Sequence, residues 1–224
     1  MEINEILSHV DHTLLSPTAT WEEIKKLCDE AILYNTASVC IPPSFVKAVK
    51  ATFPTQVTIC TVIGFPLGYN TASVKHAEAI QALEDGADEI DMVINLSHVK
   101  NKEFDKIEQE IITLKKECLN KTLKVIIETC YLTQEEKIAL CKVVTNAGAD
   151  YIKTSTGFGT GGATKDDVLL MKEYIGDAVR IKAAGGISTR EDLEMFLELG
   201  CDRIGTSKAV HLLVGNEEKT GSSY

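Results

Sequence analysis

The chain has 224 residues, 44% of them hydrophobic and 25% charged, and a net charge of −10. This is the make-up of an ordinary globular protein, and the acidic balance argues against a broad basic face for nucleic acid. No apolar run approaches the ~20 residues of a membrane span, and the start, Met1-Glu2-Ile3-Asn4-Glu5, lacks the apolar core of a secretion signal.

A short helix is expected over 2–8, ahead of a first strand over 10–14. A helix over 20–34 opens with Thr20-x-x-Glu23, a capping box. A strand over 37–41 and a helix over 44–50 follow, then a strand over 57–63 and a helix over 71–85. The next pairs are a strand over 89–94 with a helix over 101–119, and a strand over 123–128 with a helix over 133–146. Thr133 precedes Gln134-Glu135-Glu136, an acidic first turn that suits the helix dipole. A strand over 151–155 leads to a helix over 164–175. A strand over 180–184 leads to a helix over 189–198, for which Ser188-x-x-Glu191 is the expected capping box. The last pair is a strand over 203–206 and a helix over 207–213. No Pro/Ser-rich linker divides these eight units, so residues 1–224 read as one domain with 214–224 as a flexible tail.

A repeat runs through the units. Gly86-Ala87-Asp88-Glu89-Ile90, Gly148-Ala149-Asp150-Tyr151-Ile152 and Gly200-Cys201-Asp202-Arg203-Ile204 share Gly-small-Asp-x-Ile. Each glycine ends a helix, and Asp91, Lys153 and Gly205 follow each aspartate by three residues. Alternation sends Ile90, Met92, Ile94 and Ile152 to one face, and Glu89, Asp91, Val93, Asn95 and Lys153 to the other. Apolar residues outward to helices and polar residues inward describe a closed (β/α)8 barrel. An open doubly wound sheet is the alternative, but no GxGxxG follows the first strand. A barrel carries its site at the C-terminal ends of its strands.

Lys153 and Lys182 stand near the ends of neighbouring strands. A strand lysine is ordinarily an edge residue or half of an ion pair. Here the inward register, the following Thr154-Ser155-Thr156-Gly157 and the second lysine point instead to amine chemistry, since one cation disfavours protonation of another and frees an amine as a nucleophile. Asp91 reads either as the partner of a lysine or as a carboxylate that passes protons. Asp11, Thr13 and Lys124 can join the same network. Thr156-Gly157, Gly185-Gly186 and Gly205-Thr206-Ser207 form an anion-site pattern after strands six, seven and eight, with Ser207 opening a helix. The five histidines contain no HExxH, and no metal cluster is expected. His9 and His12 read as structural. Cys40 reads as a buried cysteine or as part of the pocket rim. Seven cysteines without CxxC suit free thiols in the cytoplasm.

Taken in order, these pieces resemble the deoxyribose-phosphate aldolase family. They are Asp11-His12-Thr13-Leu14-Leu15, Val39-Cys40-Ile41-Pro42, Thr61-Val62-Ile63-Gly64-Phe65-Pro66-Leu67-Gly68, Glu89-Ile90-Asp91-Met92-Val93-Ile94-Asn95, Lys124-Val125-Ile126-Ile127-Glu128-Thr129, Lys153-Thr154-Ser155-Thr156-Gly157-Phe158 and Lys182-Ala183-Ala184-Gly185-Gly186-Ile187. The resemblance implies a (β/α)8 barrel and a metal-free class I aldolase that needs no cofactor. Its reaction would be the reversible cleavage of 2-deoxy-D-ribose 5-phosphate to D-glyceraldehyde 3-phosphate and acetaldehyde, in deoxyribose catabolism. It further implies that Lys153 forms an imine, that Lys182 tunes the Lys153 amine, that Asp91 works with Lys182 in proton transfer, and that the protein is a homodimer. Lys208 departs from the small residue common in the family, and is either a further charge on the phosphate site or a solvent-facing side chain. The ending Ser223-Tyr224 is similar to a terminal tyrosine that assists protonation in some members.

Overall fold

The structure, a computed structural model, describes residues 1–215. Eight parallel strands close a barrel in chain order: β1 (Val10–Thr13), β2 (Ser38–Ile41), β3 (Ile59–Ile63), β4 (Glu89–Val93), β5 (Thr122–Ile126), β6 (Tyr151–Lys153), β7 (Arg180–Ala184) and β8 (Arg203–Thr206). The helices outside it are α1 (Ile3–Leu7), α2 (Trp21–Tyr34), α3 (Val46–Thr52), α4 (Ala72–Glu84), α5 (Leu96–Lys100), α6 (Phe104–Cys118), α7 (Gln134–Asn146), α8 (Lys165–Tyr174), α9 (Arg190–Glu198) and α10 (Ala209–Val214). The expected (β/α)8 barrel is the fold observed.

The repeat has a physical cause. Each repeat aspartate grips the first residues of the preceding strand. Asp88 Oδ2 accepts the Ile59 N–H at 3.2 Å, Asp150 Oδ2 the Leu123 N–H at 2.8 Å, and Asp202 Oδ2 the Ile181 N–H at 3.1 Å. Each aspartate N–H also donates to the carbonyl of that same residue. The three clamps set the registers of β3–β4, β5–β6 and β7–β8, and with them the height of Asp91, Lys153 and Gly205. Gly86, Gly148 and Gly200 all take positive φ, the left-handed turn that lets a helix end and the next strand begin.

The barrel wall sorts its side chains as alternation requires. Val39, Ile41, Ile59, Ile63, Ile90, Met92, Val125, Ile152, Ile181 and Ile204 belong to the large core between strands and helices. Inside the barrel lies a small apolar group, Cys40, Cys60 and Val62, covered by Leu15 and Phe65. Val93, Ile126 and Tyr151 share the inward face with a polar set, Asp11, Ser38, Glu89, Asp91, Lys124, Lys153 and Lys182, and all are buried.

Four local expectations are corrected. The helix expected over 101–119 is α6, which starts at Phe104, and an unexpected short helix, α5, precedes it with Lys102 left-handed between them (φ 58°). The strand before them ends at Val93, and Asn95 turns its side chain to accept the Ser97 N–H and cap α5 instead of pointing into the barrel. The cap of α9 is one residue later than expected: Thr189 and Asp192, not Ser188 and Glu191, form the reciprocal pair. The tail expected over 214–224 starts inside α10, which reaches Val214, and residues 216–224 with Tyr224 lie outside the described residues. The boxes expected at Thr20 and Thr133 are present, with Glu23 and Glu136 as partners.

Candidate active site

Loops after β1, β6, β7 and β8 surround a cavity of 510 Å³ at the C-terminal face of the barrel. Of the residues singled out from sequence, Thr13, Lys153, Thr156, Gly157, Gly185, Gly186, Gly205 and Ser207 line it. Lys182, Asp91, Asp11, Lys124 and Cys40 do not; they are fully buried behind its wall. Lys153 joins the two groups, because it borders the cavity and also reaches the buried network.

Asp91 is the hub of that network. Its Oδ2 accepts from Lys153 Nζ at 2.8 Å and from Lys182 Nζ at 2.7 Å, and its Oδ1 from Lys124 Nζ at 2.8 Å. Lys182 also donates to Asp11 Oδ2. Asp11 Oδ1 accepts from Arg203 and, at 2.6 Å, from the Ser38 hydroxyl. Glu89 pairs with Lys124 at 2.5 Å and with Arg203 at 3.2 Å. Gly205 leaves room for this arrangement: a Cβ there would lie 3.0 Å from Lys182 Cε.

Among the described residues, four cations thus share three carboxylates. Burial alone would raise the carboxyl pKa of Asp91, but Lys124, Lys153 and Lys182 overcome it and hold Asp91 well below the usual range. Asp11 is held low in the same way by Lys124, Lys182 and Arg203. Burial would also strip the proton from Lys124 and Lys182, yet Asp11 and Asp91 raise both above the ordinary lysine value. Lys124 and Lys182 are therefore locked as ammonium ions, each gripped by two or more carboxylates. Lys153 touches one carboxylate and is the surplus cation. Asp91, expected to partner one lysine or to pass protons, shares one carboxylate oxygen between Lys153 and Lys182.

The depressed Asp11 and Asp91 pKa values carry a stability prediction. A carboxylate held low in the folded state stabilises it above its unfolded pKa of about 3.9, and that contribution is lost as pH falls below it. Resistance to urea is expected to drop as the pH is lowered below about 4, and the drop should be shallower in Asp91→Asn. Equal slopes would show that the network does not carry the linkage.

Of the two readings of Cys40, the structure shows the buried cysteine, inside the barrel and not at the pocket rim. It pairs in register with Cys60, beneath Leu15 and Phe65. A hydrogen bond with Cys60 lowers the Cys40 thiol pKa, while burial raises that of Cys60. Cys60 Sγ lies 3.2 Å from Asp91 Oδ1 and 3.1 Å from Lys124 Nζ. Cys40, Cys60 and Asp91, and likewise Asp11, Cys60 and Glu89, bring potential metal-ligand atoms within 4.8 Å of one another, a proximity not foreseen from sequence. Their carboxylate oxygens already accept from Lys124, Lys153, Lys182 and Arg203, and a divalent ion would have to enter among those cations.

The other half of the cavity suits an anion. The N–H groups of Gly157, Gly186 and Ser207 meet no acceptor among the described residues. Gly157 (φ 86°), Gly185 (81°) and Gly186 (75°) are left-handed, a backbone that brings N–H groups to a ligand without side-chain obstruction. Gly162 closes the loop against Gly185, where a Cβ would lie 2.2 Å from the Gly185 carbonyl oxygen. Lys208 lines the same wall, is exposed, and has no ion pair among the described residues. Two expectations change here. Ser207 does not open the last helix, which starts at Ala209 and has only six residues. Thr156 lines the cavity, but both its N–H and its hydroxyl donate to Glu128, at 3.0 and 2.5 Å.

Sequence reasoning turned Glu89 inward but gave it no role, and missed Arg203, which with Glu89 completes the buried network, and Glu128. The first two occupy the variable position of the Gly-small-Asp-x-Ile repeat, so that position was the available signal. His12 is structural as read: it is buried, and its Nε2 lies 2.7 Å from Glu30.

A family model described as DeoC/LacD family aldolase matches residues 6–207. The chain belongs to this aldolase family. It is 66% identical over 213 residues to the deoxyribose-phosphate aldolase of Clostridium botulinum (strain Eklund 17B / Type B), covering 95% of this chain and 96% of that one. It is 55% identical over 218 residues to the deoxyribose-phosphate aldolase of Clostridioides difficile (strain 630), covering 97% and 99%. Among solved structures, the deoxyribose phosphate aldolase of Aeropyrum pernix, described as tetrameric, superimposes with a TM-score of 0.90 at 32% identity, over 97% of this chain and 93% of that one. Among the described residues of this aldolase, no helix is long and apolar enough to cross a membrane.

Proposed function

We propose that this aldolase reversibly cleaves 2-deoxy-D-ribose 5-phosphate to D-glyceraldehyde 3-phosphate and acetaldehyde through an imine on Lys153. One observation carries the assignment: of the interior lysines 124, 153 and 182, Lys153 is the one that borders the cavity. The other two are held as ammonium ions and lack both the access and the lone pair that a nucleophile needs.

In cleavage, the Lys153 amine attacks C1 of the open-chain sugar and water leaves, giving a protonated imine. Loss of the C3 hydroxyl proton then breaks C2–C3, and the electron pair moves into an enamine. Glyceraldehyde 3-phosphate departs, C2 is protonated, and hydrolysis releases acetaldehyde and regenerates Lys153. Asp91 Oδ2, shared by Lys153 and Lys182, lies where protons of these steps can be exchanged. Lys182 supplies a fixed positive charge on the Asp91 oxygen that Lys153 also contacts. Asp11 and Lys124 hold Asp91 and Lys182 in place. The free N–H groups of Gly157, Gly186 and Ser207, with Gly185 and Gly205 shaping the wall and Lys208 adding charge, receive the phosphate. We place the enzyme in the cytoplasm as one barrel domain and a homodimer, for which sedimentation should give about twice the chain mass of 24.5 kDa.

Release of acetaldehyde from 2-deoxyribose 5-phosphate tests the reading directly, and a purified protein without that turnover would refute it. Activity is expected to survive EDTA. Loss that zinc reverses would contradict the imine route. Lys208→Ser should raise KM for the phosphorylated substrate about tenfold, the effect of one charge-assisted contact, and leave kcat/KM for unphosphorylated 2-deoxyribose unchanged. Parallel losses on both substrates would remove Lys208 from the phosphate site.

A further inference from the structure

Glu128 follows β5 and is 3% exposed, yet its carboxylate has no ion pair among the described residues. Its backbone is left-handed, with φ 54°, which is costly for a residue with a side chain. A buried, unpaired carboxylate is costly as well. Both features sit beneath one stretch of the cavity wall. The two carboxylate oxygens accept the N–H and the hydroxyl of Thr156, at 3.0 and 2.5 Å. With its proton committed, the Thr156 oxygen accepts the Phe158 N–H at 3.0 Å. Gly159 then passes directly over Glu128, where a Cβ would lie 3.2 Å from Glu128 Cδ and 3.0 Å from Cys130 Sγ. Thr156 and Phe158 are thereby tied down on either side of Gly157, whose own N–H is left without an acceptor at the cavity.

We propose that Glu128 is a positioning residue for phosphate recognition. Its carboxylate fixes Thr156–Phe158 so that the Gly157 N–H is presented to the substrate's phosphate, and it thereby sets the preference for phosphorylated over unphosphorylated sugars. This rests on the aldolase reading above for the identity of the substrate. Glu128→Gln keeps the shape but puts an amide donor opposite the Thr156 hydroxyl. The hydroxyl then loses the acceptor of its proton, and the charge-assisted bond that holds Thr156 is gone.

The test measures kcat and KM for 2-deoxyribose 5-phosphate and for 2-deoxyribose, and the affinity for inorganic phosphate by calorimetry, in the wild type, Glu128→Gln and Glu128→Gly. The glycine variant removes the carboxylate while relieving the backbone, so it guards against a simple failure to fold. In both variants KM for the phosphorylated sugar is expected to rise, and phosphate affinity to fall, about tenfold, the scale of one charge-assisted hydrogen bond. Values for 2-deoxyribose and imine trapping with acetaldehyde should stay within about twofold, as groups outside the phosphate site are untouched. Equal losses on both sugars would show a merely structural role, and unchanged phosphate affinity would overturn the proposal outright. If the wild type turned over neither sugar but phosphate affinity still fell in both variants, the aldolase reading would fail and the role of Glu128 would stand.

Discussion

Lys153→Met is expected to lower turnover by about 10⁴-fold or more, as removal of an essential nucleophile does elsewhere, while the protein remains folded. The two halves of this prediction have separate causes. Methionine keeps an unbranched stem of similar girth but has no amine, so no imine can form. The fold should tolerate the change because Lys153 is the surplus cation: without it, Lys124, Lys182 and Arg203 still match Asp11, Glu89 and Asp91 in number. Residual turnover within tenfold of wild type would move the chemistry to another group. A variant that unfolds would show that Lys153 is needed for the charge balance.

Asp91→Asn, in contrast, is expected to cost stability as well as turnover. Asp91 accepts from three lysines in a site closed to water. Its neutral replacement leaves four cations around two carboxylates. Breaking a buried ion pair from one side costs about 3–5 kcal/mol, which is a large part of the stability of most domains. Turnover should also fall by about 10²–10⁴-fold, the range of a lost proton-transfer group. Urea unfolding and steady-state kinetics on the same preparation separate the two effects. Loss of activity without loss of stability would show that the network relaxes around asparagine and that the role of Asp91 is chemical alone.

The barrel was legible because its repeat is mechanical. An aspartate that must bond the start of the preceding strand cannot drift in sequence, and its glycine and isoleucine keep fixed distances from it. The same regularity made the heights of Asp91 and Lys153 readable. Alternation turned Glu89 inward, but its partner Arg203 was passed over because it occupies the variable position of that repeat, where a charge is as compatible with solvent as with a buried network. Their role depends on β8 lying beside β1 and on an interior shared with β4, and local pattern does not report such contacts. Glu128 escaped for a different reason: nothing in Ile126-Ile127-Glu128-Thr129 signals a left-handed backbone. Cys40 was left open between interior and rim because strand position gives the direction of a side chain, whereas Leu15 and Phe65, which cover it, come from loops. The start of α10 was misjudged because Ser207 and Lys208 have the composition of a helix opening but belong to the cavity wall.

The central claim is that, of three interior lysines, the one bordering the cavity is the nucleophile. Borohydride reduction in the presence of acetaldehyde, followed by peptide mapping, addresses it without assuming a natural substrate. A two-carbon adduct on the peptide carrying Lys153, absent when borohydride or acetaldehyde is omitted, is the predicted result. An adduct on Lys182 or Lys124 with Lys153 unmodified would contradict the account, because it would require a lysine held as an ammonium ion behind the wall to be the reactive one.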